Sequence, residues 1–174
     1  MPLLKVLQGV RPGAVVPYDA SLGLSVNAPV LGPLRLPLRT QGELPVPTPP
    51  QVELTGIHWD ELSLEQAGGV VRLRLSNLNQ FRTELSRLGY SLSLAGAPVA
   101  EAAITRAVDL PADGGAEELE IPLHFSPRQL GLAVFRVLVG SEADYRFAGQ
   151  ADLDTPFGAM SLPVEKAGRV SLFK

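Results

Sequence analysis

The stretch that decides the reading is Tyr145-Arg-Phe-Ala-Gly-Gln-Ala-Asp-Leu-Asp-Thr-Pro-Phe-Gly-Ala-Met-Ser-Leu-Pro-Val-Glu-Lys-Ala-Gly168. Its landmarks Tyr145, Pro156, Leu162-Pro163 and Gly168 occur a second time, as Tyr18, Pro29, Leu36-Pro37 and Gly42. The two runs keep step apart from one extra residue near Gly32 in the first. Upstream, the apolar Leu3, Leu4, Val6 and Leu7 precede Tyr18 as Leu132, Phe135, Val137 and Leu138 precede Tyr145. Self-similarity of this kind bears on architecture before any local assignment does. It predicts the second half of one domain at 1–44, a proline-rich linker at 45–50 and a complete domain at 51–174.

Outward from that repeat the dominant period is two. Val71, Leu73 and Leu75 alternate with Arg72 and Arg74; Tyr90, Leu92 and Leu94 alternate with small polar residues. Leu119, Ile121, Leu123 and Phe125 alternate with Glu118, Glu120, Pro122 and His124. Each run is a strand with one wet and one dry face. Turn chemistry at Gly68-Gly69, Ala95-Gly96, Asp113-Gly114-Gly115 and Ala167-Gly168 separates them. The expectation is an all-β fold, an antiparallel Greek-key β-sandwich resembling fibronectin type III, with one short helix. That helix starts at Ser126-Pro127-Arg128-Gln129, read as N-cap, first-turn proline and capping-box Gln. Leu130, Val134, Val137 and Leu138 form its core stripe and Gly140 stops it; the counterpart in the partial repeat is Pro2 to Gln8. Ten of the 16 prolines lie in residues 1–50, and Pro45 to Pro50 favours extended backbone.

Composition narrows the function classes. A net charge of −3 with interspersed signs gives no footprint for nucleic acid, and no apolar run reaches membrane-spanning length. Without cysteine there is no disulfide, thiolate nucleophile or Cys-based zinc site. The two histidines, His58 and His124, lie far apart in sequence and fall short of a zinc ligand set. No Gly-x-Ser-x-Gly elbow is present, and Gly114-Gly115 precedes no helix that could hold phosphate. Glu118 and Glu120 share an exposed strand face, which reads as a solvated edge before it reads as a cation site. No catalytic residue, cofactor or metal is expected.

With these elements in place, residues 51–174 resemble the type 2 late embryogenesis abundant family, also called the WHy (water stress and hypersensitive response) domain. Asn77-Leu78-Asn79-Gln80-Phe81 is similar to its Asn-Pro-Asn-x-Phe signature, with Leu78 in place of the proline. Tyr90 to Gly96 with Pro98 resembles its central hairpin, and Leu110-Pro111-Ala112 the segment that follows. Tyr145, Gly149, Asp154-Thr155-Pro156-Phe157-Gly158 and Gly168 resemble its closing hairpin. Residues 1–44 resemble only the family's second half.

The residues themselves point to structural work. Asn77 and Asn79 fasten a strand exit through Asx-type bonds, Phe81 plugs the sandwich edge, and Tyr90 and Tyr145 close corners. The resemblance implies a non-enzymatic stress protector, acting in desiccation, freezing and oxidative stress through weak contacts with partly unfolded client proteins. The alternative is a scaffold or adhesion module that binds one protein partner by strand addition. The incomplete first repeat is expected to dock, be poorly ordered, or self-associate. The expected compartment is the cytoplasm, with export if a targeting segment precedes Met1.

Overall fold

The computed structural model describes residues 13–28 and 32–173, with backbone alone for 26–28 and 32–36. The expected helix at Pro2 to Gln8 lies outside the described residues. Two compact units are present: one ends at Pro47, and the other carries everything from Thr48 onward.

The first unit is the hairpin of β1 (Val15–Ala28) and β2 (Gly32–Pro45), a two-stranded antiparallel sheet. The second unit contains β3 (Gln51–Leu62), β4 (Ala67–Ser76), β5 (Thr83–Leu94), β6 (Ala97–Ile104), β7 (Val108–Leu110) and β8 (Ala116–Phe125). Two short helical turns, α1 (Pro127–Leu130) and α2 (Leu132–Leu138), lead into β9 (Glu142–Thr155) and β10 (Gly158–Phe173). The fold is all-β, as expected. One path of strands runs β6-β5-β9-β10-β3-β4-β8, with β7 on β5. It curls into two layers, β3-β4-β8 and β6-β5-β9-β10. They are joined where the end of β10 pairs in parallel with β3, Leu172 to Ile57 and Phe173 to His58. Every other ladder is antiparallel. The chain changes layer between β4 and β5, between β7 and β8, and again through the helical segment. That is the Greek-key connectivity of a sandwich.

Alternation built the core. Leu73 and Leu75 from β4, Leu88, Leu92 and Leu94 from β5, and Phe147 and Leu153 from β9 are all at most 2% exposed. Removing such side chains from water supplies about 1.5–3 kcal/mol apiece. In β3 the period slips: Val52 and Leu54 face in, and then Ile57 and Trp59 do. A register irregularity between Leu54 and Gly56 inserts the extra residue, so that both halves of the strand face the core.

Two turn assignments and the helix differ from expectation. Gly68 and Gly69 lie inside β4, where a Cβ on Gly69 would come within 2.2 Å of the His58 carbonyl oxygen. Glycine is there for close backbone approach at a strand irregularity, and the turn is Ser63 to Gln66, closed by reciprocal bonds between those two residues. Ala167 and Gly168 lie inside β10, because the Tyr145 ring passes over Gly168. The helix is broken at Gly131, whose φ of 98° no helix accommodates. The Ser126 side chain makes no cap bond. Because the period restarts after Gly131, the stripe loses phase: Leu138 is buried, Leu130 and Val134 are partly buried, and Val137 and Leu132 are exposed.

Candidate functional site

The exit of β4 concentrates the buried polar chemistry. Asn77, Asn79 and Thr83 are the buried polar residues among those described. The Asn77 amide nitrogen donates to the carbonyls of Phe81 (2.8 Å) and Leu110 (3.1 Å). Its Oδ1 accepts from the backbone N–H of Asn79 (3.0 Å) and from the Asn79 amide (2.8 Å). The Asn79 amide donates also to the Thr48 carbonyl at 3.1 Å. Asn79 Oδ1 accepts from the Thr48 backbone N–H and hydroxyl, at 2.8 and 3.0 Å. The turn between β7 and β8 locks on as well, through Asn77 N–H to Gly115 O, Gly114 N–H to Asn77 O and Asp113 N–H to Asn79 O. The two asparagines therefore tie together a strand exit, the end of β7 and the proline-rich run through their carboxamides, and the next turn through their main chain. Asparagine suits this because it carries both donors and an acceptor on a short stem.

The expected residues of the two halves of the sequence meet. Phe81 packs edge-on against Phe157, ring centroids 5.1 Å apart at 88°, which brings the strand-exit motif against the β9–β10 turn. That turn is held by the Thr155 hydroxyl, which donates to Gly158 O and accepts from Phe157 N–H, with Gly158 at φ 121°. Pro156 lies within it, and Asp154 stands opposite Ala159 and Glu84 in the ladders. Tyr90 stacks on Phe147 at 5.5 Å. Tyr90 pairs with Gly149, where a Cβ would sit 2.2 Å from the Gly89 carbonyl oxygen. Burial raises the phenol pKa of Tyr90, and of Tyr145 too, where a backbone hydrogen bond from Leu54 opposes the rise. Gly96 and Ala95 both take positive φ in the β5–β6 turn, and Pro111 packs where a Cβ on Gly115 would fall.

Sequence reading missed Thr48, hidden in a proline run that reads as a linker; the signal was a lone hydroxyl residue among prolines. It also missed Trp59, whose buried Nε1 has no hydrogen-bond partner.

The acidic residues of β8 have partners in the sheet. Glu120 stands opposite Arg72, with Nε 3.4 Å from Oε1, and Glu118 stands opposite Arg74. His58 stacks on Phe173 at 5.4 Å, whereas His124 borders Gly68 on the far side of β4. Among the described residues no three His, Asp or Glu side chains converge as metal ligands do. No helix among them is long and apolar enough to cross a membrane.

Apolar side chains remain on the surface of the second unit. Leu78 is exposed and borders a concavity with Thr48, Pro49, Pro50 and Pro163. Leu132, Val137, Val139 and Phe173 are exposed around the helical segment.

The geometry defines a Greek-key β-sandwich module whose buried polar groups hold strand ends. A model of the late embryogenesis abundant protein family (LEA_2) matches residues 72–168, more than half of the chain, and the chain belongs to that family. No curated protein sequence matches it significantly. Among solved structures, a protein from Archaeoglobus fulgidus is similar at 16% identity, covering 70% of this chain and 97% of its own, with a TM-score of 0.41. An Arabidopsis thaliana protein has 16% identity, coverages of 75% and 87% and a TM-score of 0.48. A protein described as late embryogenesis abundant has 16% identity, 72% of each chain and a TM-score of 0.47. Membership of the family is consistent with a stress-related role.

Proposed function

We propose that this protein is a non-enzymatic protector, which keeps partly unfolded client proteins from inactivation and aggregation during drying, freezing or oxidative stress. The observation that supports it is the apolar surface around the helical segment. Leu132 and Val137 stay in water although their helix is packed on the core through Leu138. Exposed apolar groups on a rigid domain give weak, polyvalent contacts with the apolar surface that unfolding clients expose. The reading fits a type 2, WHy-like member of the family, working in the cytoplasm.

The test uses the full chain and two unrelated dehydrogenases, dried or freeze–thawed with it or with an inert protein at equal mass concentration. Retained activity of both enzymes well above the inert control is expected. A double variant Leu132→Ser, Val137→Ser should reduce the effect. No excess over the inert control for either enzyme would overturn the proposal and favour a module specific for one partner.

A further inference from the structure

The two hairpins share one register. Tyr18 stands opposite Gly42 as Tyr145 stands opposite Gly168, and Gly23 opposite Pro37 as Gln150 opposite Pro163. The extra residue of the first run falls between the strands, three residues (29–31) against two (156–157). Laid on one another, Tyr18, Leu24 and Leu38 take the positions of Tyr145, Ala151 and Val164, all buried core residues. In the hairpin they are exposed, as is Leu22 at 62%. The outer edge of β9 is covered by β5. Among the described residues, no strand covers the matching edge of β1.

The two edges of the hairpin are not equally open. β2 carries Pro33, Arg35, Pro37 and Arg39, the residues that discourage strand addition. From Asp19 to Ala28, β1 has no proline and no cation. Its sequence is self-complementary about Gly23: Ser21-Leu22-Gly23-Leu24-Ser25 reads the same in both directions.

We propose that β1 pairs antiparallel with β1 of a second copy of this chain, about a two-fold axis at Gly23. Leu22 then lies opposite the partner's Leu24, and Ser21 opposite the partner's Ser25. Asp19, the one charge on the strand, lies opposite the partner's Asn27, so no like charges face each other. Apolar residues oppose apolar residues throughout, as Leu92 and Leu94 of β5 oppose Phe147 and Tyr145 of β9. Nothing lies within 4 Å of where a Cβ on Gly23 would be, so the axis position accepts a side chain. Such an isologous contact is closed and makes a dimer. A single strand edge is smaller than a standard interface of about 800 Å² per partner, so the dimer is reversible and depends on concentration.

The chain has no cysteine, so one introduced thiol reports cleanly. The variant Gly23→Cys should form a disulfide-linked dimer under mild oxidation at least about tenfold faster than Arg39→Cys on β2, because residues opposed in an antiparallel pair lie within bridging distance. Light scattering of the unmodified full chain should show a monomer–dimer equilibrium that Leu22→Lys, Leu24→Lys shifts to monomer. A strict monomer up to about 1 mM would overturn the proposal. So would equal cross-linking rates of the two thiols, or a dimer unchanged by the double lysine variant. None of these readouts depends on client protection.

Discussion

Asn79 grips Thr48 from both sides, giving an amide N–H to its carbonyl at 3.1 Å and taking its backbone N–H at 2.8 Å. A side chain thus imitates a neighbouring β-strand at Thr48, which lies between Pro47 and Pro49 and keeps the backbone N–H that they lack. The start of the domain is therefore held by a residue from the end of β4.

Replacing Asn77 should be among the most damaging single changes. Asn77→Ala strands the carbonyls of Phe81 and Leu110 and frees the Asn79 amide, in a place only 1% exposed. A loss of about 3 kcal/mol in urea unfolding is expected. Asn77→Asp, similar in shape but unable to donate, should fail to restore it.

Two glycines on the neighbouring strands β5 and β9, Gly89 opposite Gln150 and Gly149 opposite Tyr90, should respond differently. Gly149→Ala drives a Cβ to 2.2 Å from the Gly89 carbonyl, whereas Gly89→Ala meets nothing within 4 Å. The first should cost more than about 2 kcal/mol and the second should be neutral or slightly stabilising. Thermal unfolding of both variants checks the pair.

At the β5–β6 turn, Ala95 holds φ at 48° beside Gly96 at 80°. Both central residues of this two-residue turn have the left-handed φ that favours Asn-Gly. Ala95→Asn should therefore stabilise by about 0.5–1 kcal/mol, with an increased denaturant midpoint and an unchanged slope.

Stability should fall in alkali. Tyr90 and Tyr145 have folded pKa values above the ordinary 10.0, chiefly through burial. As pH rises past 10, the unfolded chain releases these protons while the folded one retains them, so unfolding becomes progressively easier. Urea midpoints measured from pH 8 to 11 should decline beyond 10, and Tyr90→Phe should flatten part of that decline.

The strands were readable because burial on one face imposes a period of two on Val71 to Leu75 and on Leu119 to Phe125. The turns at Ala95-Gly96 and Asp113-Gly114 were readable because positive φ favours glycine and aspartate, as at Gly96, Asp113 and Gly114. Gly68-Gly69 and Ala167-Gly168 misled for a related reason: glycine marks close approach as well as turning, and only the neighbour tells which. His58 and Tyr145 are those neighbours, and both are distant in sequence.

The sequence alone determined the all-β class, the doubled Tyr–Pro–Gly pattern and the motif residues at the exit of β4, since these depend on local periodicity and on short-range backbone chemistry. Tertiary structure decided what those residues hold. That Asn79 bonds Thr48, that Phe81 meets Phe157, and that Val137 is left in water while Leu138 is buried all depend on segments remote in the chain being brought together. Local sequence specifies a side chain's capacity to bond or pack; its partner is fixed only when the layers close.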